Sequence, residues 1–297
     1  MISPYAINYE QWCKLFYYLP EREQQFAGAG IKLFHNALQT ATVPNNLYYV
    51  RNDVPESIKH TELAYEEISP LGNLIALTPK QYLFSVYTPS NIWKASKIDD
   101  IAVERVLAMS STKYEVSEHD INIPHSYILF AISSIQLNHH TIEQIIQWAE
   151  QTKQHVVFKD HPYPLDGVRA KSYWNNYRPI LSEYASIADS GNLNSLIQNA
   201  TAVWAYESGV IFKAMLMGKA VAYFYPGVFS NLVGVSNSPA QAFTATAPAV
   251  SDIYRYISWI YNKVAIDTTS ANAEEVLNQR LHKFYNLNKR SITEFLL

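Results

Sequence analysis

Residues 156–226 begin VVFKDHPYP and, after a polar and aromatic connection, end SIADSGNLNSLIQNATAVWAYESGVIFKAMLMGKAVAYFYP. Runs rich in β-branched and aromatic residues, at 156–158, 201–206 and 220–225, alternate there with helical patterns at 192–200 and 209–217. This alternation is typical of parallel strands joined by crossover helices. The stretch therefore predicts an α/β fold, and the polar residues that follow two of its strands become candidates for a ligand site.

The same pattern extends towards the amino terminus. SYILFAISS at 126–134 predicts a buried strand, and residues 141–152 predict a helix that begins at Thr141, with Gln144 three residues later as in a capping box. With the strands above, these elements make residues 122–245 a doubly wound parallel sheet of the nucleotide-binding type. Two further helices are predicted, at 250–262 and 271–297.

The amino-terminal half is predicted to form a separate α/β domain. Its predicted strands lie at 47–50, 73–77 and 82–87, and its predicted helices at 24–38 and 98–109. A polar stretch at 114–120, closed by Ile123-Pro124, marks the boundary. The 297 residues are thus divided into one domain of residues 1–121 and a second of residues 122–297.

Composition and charge limit the classes of function. With 48% hydrophobic and 16% charged residues the chain is globular, and its net charge of −3 argues against nucleic-acid binding, which needs a strongly basic surface. The single cysteine, Cys13, excludes an internal disulfide and a cysteine-based zinc site and favours a reducing compartment. No secretory signal pattern and no run of about 18 apolar residues is present. We therefore expect a cytoplasmic protein, soluble or peripherally associated with the inner membrane.

The first candidate strand end is KDHP at 159–162. Pro162 restricts His161 to extended conformations, and an imidazole held directly after a strand can donate to an anionic oxygen or protonate a leaving phosphate. Lys159, two residues earlier, is expected on the same face of the strand and adds positive charge. The alternative is a histidine that only closes a loop.

The second candidate strand end is ESG at 207–209. Ser208 as the N-cap of the following helix would direct its hydroxyl and the first free backbone amides towards an anion, and Gly209 would let that anion approach the main chain. Glu207 could accept hydrogen bonds from ribose hydroxyls or place a favourable charge at the helix end, and Gly218 is expected to end the helix. The alternative is an ordinary serine cap. The two ends together favour a phosphate-bearing ligand lying across the sheet.

Candidates for an acid or a base lie in the amino-terminal half. Asp53 follows the predicted strand at 47–50, where it could also form a turn or cap before Pro55. Glu66 and Glu67, close to Glu62, are either a solvated face or, if one is buried beside another, a carboxyl with a raised pKa that works near neutral pH.

Several catalytic motifs are absent from the sequence. It contains no Gly-x-Gly-x-x-Gly, no phosphate-binding P-loop, no Gly-x-Ser-x-Gly and no His-Glu-x-x-His. A dinucleotide-dependent enzyme and a P-loop NTPase are therefore unsupported. The adjacent His139 and His140 are too few to indicate a metal site, and we expect no bound metal.

Three segments resemble a known family. FKDHP at 158–162, followed by AYESGVIFKAMLMGKAVAYF at 205–224, resembles the carboxyl-terminal half of the bacterial capsule-polysaccharide synthesis proteins. These are 3-deoxy-manno-octulosonic acid (Kdo) transferases, related in architecture to bacterial sialyltransferases that also carry a His-Pro motif and a Ser/Thr motif. ILFAISSIQLNHHT at 128–141 is similar to that family's first strand and glutamine-containing loop, which adds Gln136 as a candidate.

The resemblance, over residues 126–230, implies a GT-B fold of two Rossmann-like domains that bind a CMP-sugar donor. It implies that His161, followed by Pro162, acts on the donor phosphate and leaving group, and that Ser208 and Gly209 contact the phosphate. It also implies that Glu207 and Lys159 lie around the nucleotide. The acceptor and a carboxylate that acts as base or nucleophile are then expected in the amino-terminal domain, and the stereochemical outcome of the transfer stays open.

The chain departs from the related sialyltransferases in one motif, because Glu66-Glu67 is followed by Ile68 and not by glycine. The catalytic carboxylate thus stays open among Glu67, Glu66 and Asp53. We expect a metal-independent glycosyltransferase that moves Kdo or a sialic-acid-like sugar from CMP to a glycan or glycolipid acceptor of the capsule or lipopolysaccharide, with no cofactor besides its donor substrate. The alternatives are a UDP- or GDP-sugar transferase or epimerase of the same fold, and a non-catalytic scaffold subunit.

Overall fold

A computed structural model of the chain describes residues 63–68, 71, 74–79, 92–111, 126–132, 139–159, 177–188, 192–206 and 208–286. Two compact units divide the chain: Met1–Lys113 together with Tyr254–Leu297, and Tyr114–Ile253. The predicted second domain ran to residue 297. The grouping differs from that expectation because the segment after Ile253 returns to the first unit, where one of its strands pairs with an amino-terminal strand.

Strands and helices alternate along the described parts of the chain. Those of the first unit that precede the second unit are β1 (Leu63–Glu67), β2 (Leu74–Pro79), a 3₁₀ turn (Ile92–Ala95) and α1 (Asp100–Ser111). The second contains β3 (Ile128–Ala131), α2 (His139–Thr152), β4 (Val156–Lys159), a 3₁₀ turn (Arg178–Ile180), β5 (Ala185–Ala188), α3 (Leu193–Asn199), β6 (Ala202–Ala205), α4 (Val210–Leu216), β7 (Ala220–Tyr223), α5 (Ser230–Val233) and α6 (Pro239–Phe243). The division falls within α7 (Val250–Trp259), which is followed by a π-helical turn (Ile260–Val264), β8 (Ala265–Asp267) and α8 (Ala273–Asn286).

The second unit is built on a five-stranded parallel sheet in the order β5-β4-β3-β6-β7. The chain moves outward from β3 through β4 to β5 and then returns to β6 on the other side of β3, so the sheet is doubly wound. The predicted α/β fold is confirmed, as are the four strands predicted in this unit and the helices α3 and α4. β5 was not predicted.

One face of this sheet packs against α2 and is called the α2 face. Alternate strand residues such as Phe130, Phe158 and Trp204 project into a cluster in which they are fully buried, and the Phe130 and Phe158 rings meet edge to face with centroids 5.6 Å apart. The α2 residues that complete the cluster are Ile142, Ile145, Ile146 and Ala149. Their spacing of three or four residues places them on one side of the helix, as the sequence pattern predicted.

The helix ends in the second unit are only partly as predicted. α2 begins at His139, so Thr141 is a nearly buried residue of the first turn and not the predicted N-cap. Gly218 follows α4 with a φ of 68°, the left-handed conformation expected of a glycine that ends a helix. At the start of α3 the Asn192 carboxamide oxygen accepts the amide of Asn194 at 2.8 Å.

In the first unit, the described strands form an antiparallel sheet in the order β1-β2-β8. The strand predicted at 73–77 is confirmed as β2, whereas β1 and β8 were not predicted. The strands predicted at 47–50 and 82–87 and the helix at 24–38 lie outside the described residues, so a Rossmann-like arrangement of this unit stays a prediction. α7 and α8 fall within segments that were predicted to be helical, and α1 overlaps the helix predicted at 98–109 but ends two residues later, at Ser111.

A buried carboxylate joins three elements of the first unit. Asp267, at the end of β8, accepts hydrogen bonds from Arg105 Nε at 2.5 Å, from the amide and hydroxyl of Thr269 at 2.9 and 2.5 Å, and from the Tyr261 hydroxyl at 3.2 Å. Burial by itself raises the pKa of Asp267, but the bonds from Thr269 and Arg105 outweigh it and hold the pKa below its ordinary value of 3.8. The aspartate is therefore ionised and paired at neutral pH.

A second cation, Arg280, ties α8 to the π-helical turn. Its guanidinium donates to the carbonyl oxygen of Val264 and to that of Ala265 at 2.8 Å. Burial lowers the pKa of Arg280 to about 10, which leaves the side chain charged at neutral pH. The last carbonyl groups of a helical segment have no backbone amide of the same helix to bond to, and the Arg280 guanidinium satisfies two of them here.

Asp267→Asn is expected to lower the free energy of unfolding at pH 7 by about 1–3 kcal/mol, because it removes a buried charge-assisted hydrogen bond. A depressed folded-state pKa contributes stability above the unfolded pKa, and that stability is lost as pH falls through the folded value. The difference in the free energy of unfolding between the variant and the wild type should therefore become smaller below a pH of about 3.8. Urea unfolding at pH 7, 5 and 3 measures this difference. The control is Asp100→Asn, because Asp100 is exposed. A difference that stays constant over this range would contradict the role given to the charge.

Candidate functional site

The carboxyl ends of the five parallel strands lie at one edge of the sheet, called the carboxyl edge. At this edge Ala131 of β3 pairs with Lys159 of β4 on one side and with Ala205 of β6 on the other. Adjacent strands are about 4.8 Å apart, so the ends of β4 and β6 are separated by about 10 Å. The order of the strands reverses at β3, and ligands of doubly wound sheets bind in the crevice at such a position.

The β4 end presents Lys159, which is half-buried. Val156 and Phe158 belong to the cluster on the α2 face, and strand alternation therefore places Lys159 with Val157 on the opposite face. The next residues of the motif, including His161 and Pro162, lie outside the described residues. Their contact with an anion stays a prediction.

The β6 end presents Ser208 and Gly209, both half-buried. The N-cap of α4 is Gly209, one residue later than the Ser208 cap that was predicted. The Ser208 hydroxyl oxygen instead accepts the amide of Val210 in a long bond of 3.3 Å. Gly209 has a φ of −61°, which any residue adopts, so its backbone conformation does not require glycine. Glu207 lies outside the described residues.

A histidine that the sequence did not single out for this edge starts α2. The Nδ1 atom of His139 is hydrogen-bonded to the Tyr177 hydroxyl, and the two rings stack with centroids 5.6 Å apart. Tyr177 is buried in the cluster on the α2 face, so it fixes the orientation of the imidazole. The amino end of α2 lies at the carboxyl edge, since α2 follows β3. Among the described residues, no group of three or more histidine, cysteine, aspartate or glutamate side chains is arranged to hold a metal ion.

The remaining candidates are not brought to this edge by any described contact. Asp53 and Gln136 lie outside the described residues. Glu66 and Glu67 are the last two residues of β1, where they pair with Ala76 and Ile75, and their side chains lie outside what the structure describes. The identity of the catalytic carboxylate stays a prediction.

The chain has no match among protein-family models, and no curated protein matches it by sequence. By structure it is similar to a KpsC β-Kdo 2,4 transferase of Thermosulfurimonas dismutans, at 12% identity and a TM-score of 0.47, over 72% of this chain and 78% of that one. It is also similar to a KpsC β-Kdo 2,7 transferase of that organism, at 14% identity and a TM-score of 0.45, over 93% and 95% of the two chains.

A further similarity is to a UDP-GlcNAc 2-epimerase of Methanocaldococcus jannaschii, at 12% identity and a TM-score of 0.27, over 53% of this chain and 45% of that one. None of the helices in the described parts of the chain combines the length and the apolar character needed to span a bilayer.

Ser208→Ala is expected to lower the free energy of unfolding by less than about 1 kcal/mol, because the hydrogen bond that it removes, from the Val210 amide, is long. Urea denaturation measures the change. Asn192→Ala is the matched control. The hydrogen bond by which Asn192 caps α3 is shorter, so its removal should lower the free energy of unfolding by about 1 kcal/mol or more. An equal cost at both positions would make the Ser208 hydroxyl a structural cap and contradict its expected use by a ligand.

Proposed function

We propose that this chain is a glycosyltransferase that moves an acidic sugar, Kdo or a sialic-acid-like sugar, from a CMP donor to a surface-glycan acceptor. The observation that supports it most directly is the register of β4, β3 and β6, which brings the ends of both motif-bearing strands to one edge. That edge is where the strand order reverses and where phosphate-bearing ligands bind in doubly wound sheets. The motifs FKDHP and AYESG supply the second line of support, through the family they resemble.

In the proposed reaction the bond between the anomeric carbon and the phosphate oxygen breaks, and its electron pair leaves with CMP. The acceptor oxygen bonds to the anomeric carbon and gives its proton to a carboxylate. His161 donates to the leaving phosphate, while Lys159 adds positive charge and the Ser208–Gly209 segment adds hydrogen-bond donors. These groups take the place of a divalent cation, so the proposed reaction needs no metal.

The proposed base is Glu67, Glu66 or Asp53, and substitution separates the three. Glu67→Gln, Glu66→Gln and Asp53→Asn each remove one basic oxygen with little change in volume. The variant that loses turnover while still binding CMP identifies the base, because proton removal from the acceptor is separate from donor binding. The proposed acceptor is a glycan or glycolipid at the cytoplasmic side of the inner membrane, reached by peripheral association.

The donor nucleotide is tested by thermal unfolding with CMP, UMP, UDP and GDP at equal concentrations. A ligand that binds only the folded state stabilises it by RT ln(1 + [L]/Kd), or about 2.7 kcal/mol at 100 times Kd. CMP is expected to give the largest increase in Tm. A larger increase in Tm with UDP or GDP would favour the alternative, a UDP- or GDP-sugar donor. If no nucleotide raised Tm, the proposal of a nucleotide-sugar transferase would be rejected.

His161→Ala is expected to lower turnover by about 10²-fold or more, the usual range for loss of a general acid, while leaving Tm unchanged. Turnover is measured as CMP released from CMP-Kdo and CMP-sialic acid in the presence of glycan acceptors. His155→Ala is the matched control, because His155 precedes β4 at the opposite end of the same strand. Near-normal turnover in His161→Ala would count against the proposed role, and product from either CMP-sugar would exclude a non-catalytic scaffold.

A further inference from the structure

Two tyrosines meet at the carboxyl edge beyond β6 and β7. Tyr206 directly follows β6, and Tyr225 lies two residues after β7. Their rings stack with centroids 5.1 Å apart and an interplanar angle of 15°. The main chain joins the same two residues, because the Tyr225 amide donates to the Tyr206 carbonyl oxygen at 2.8 Å.

Tyr206 is held in place by packing on the α2 face of the sheet. It continues the alternation of Ala202 and Trp204 on the α2 face, and its side chain packs against the buried cluster there. The ring therefore has little rotational freedom left to lose when a ligand arrives. The plane of Tyr225 is set by this fixed ring and by the backbone hydrogen bond.

Tyr225 is 44% exposed although one face of its ring is covered by Tyr206. The exposed area therefore lies on the parts of the residue that Tyr206 does not cover. Another near-parallel pair among the described residues of this unit, Phe212 and Phe229, has centroids 5.0 Å apart and is buried, as expected of a pair that serves only packing. An oriented aromatic face open to solvent at a ligand-binding edge is suited to stack on a planar ring.

The position of the pair relates it to the candidate phosphate contacts. Ser208 lies two residues after Tyr206, which limits the separation of their Cα atoms to about 7 Å. A nucleoside monophosphate carries an anionic group at one end and a planar base at the other. The two ends of such a ligand match the two kinds of group at this edge, hydrogen-bond donors after β6 and a planar ring after β7.

We propose that the exposed face of Tyr225 stacks on the nucleobase of the donor nucleotide, with Tyr206 as the support beneath it. The inference deepens the proposed function and rests on it, because that proposal supplies the nucleotide. Every base has a π face, so stacking adds affinity without selecting one base. Selection of cytosine is then left to hydrogen bonds made elsewhere.

The test is calorimetric titration of the full chain and its variants with CMP and with ribose 5-phosphate, which lacks the base. Tyr225→Ala is expected to weaken CMP binding roughly 10- to 100-fold and to leave ribose 5-phosphate binding unchanged, the range for loss of one base–aromatic stack. Tyr225→Phe keeps the ring and should bind CMP as the wild type does. In NMR spectra, the cytosine H5 and H6 signals should shift upfield with the wild type and Tyr225→Phe but not with Tyr225→Ala.

Tyr184→Ala is the matched control. Tyr184 precedes β5 at the other edge of the same sheet and also packs, half-buried, against the cluster on the α2 face. Its loss should leave CMP binding unchanged. Equal weakening of both ligands by Tyr225→Ala, or an unchanged upfield shift of the base, would make Tyr225 structural and overturn the inference. Unaltered CMP binding by Tyr225→Ala would overturn it while the proposed function stands, and no binding of CMP to the wild type would overturn both.

Discussion

The parallel pairing of β3 with both β4 and β6 is the constraint on which the candidate site depends. Ala131 pairs simultaneously with Lys159 and Ala205, and the amide of Ile132 extends the pairing by bonding to the Lys159 carbonyl oxygen at 3.0 Å. Parallel neighbours must send their connections over the faces of the sheet. All polar residues that follow these strands therefore leave at one edge, whatever the connections contain.

Local patterns were sufficient for the strands that are apolar along their whole length. β3, β4, β6 and β7 are buried on both faces, and runs such as ILFA and AVWA read as strands without reference to any partner. β5 has the sequence ASIA with Ser186 exposed, and β8 is only three residues long. These segments form strands because they pair with segments that are distant in the sequence. A local sequence pattern carries no information on that pairing.

The same distinction applies to the domain division and to the site. The amphipathic pattern of α7 predicts a helix, but the unit that the chain enters afterwards is set by contacts such as Arg105 with Asp267, which are 162 residues apart. Motif order correctly predicted two strand ends of one parallel sheet. The ring contacts at that edge, His139 with Tyr177 and Tyr206 with Tyr225, depend on side-chain directions that follow only from the strand and helix register.

The charge of the molecule restricts how an anion can be held at this edge. A net charge of −3 gives no long-range attraction for anions, so binding must come from contacts that act over short distances. Lys159 lies on the face opposite the α2 face, and the stacked tyrosines lie at the end of β6 and β7, so charge and planar surface are on separate parts of the edge. Hydrogen bonds and ring stacking act only between groups in contact, so they favour a small anion that carries a planar group. An extended polyanion would need a basic surface, which the composition does not supply.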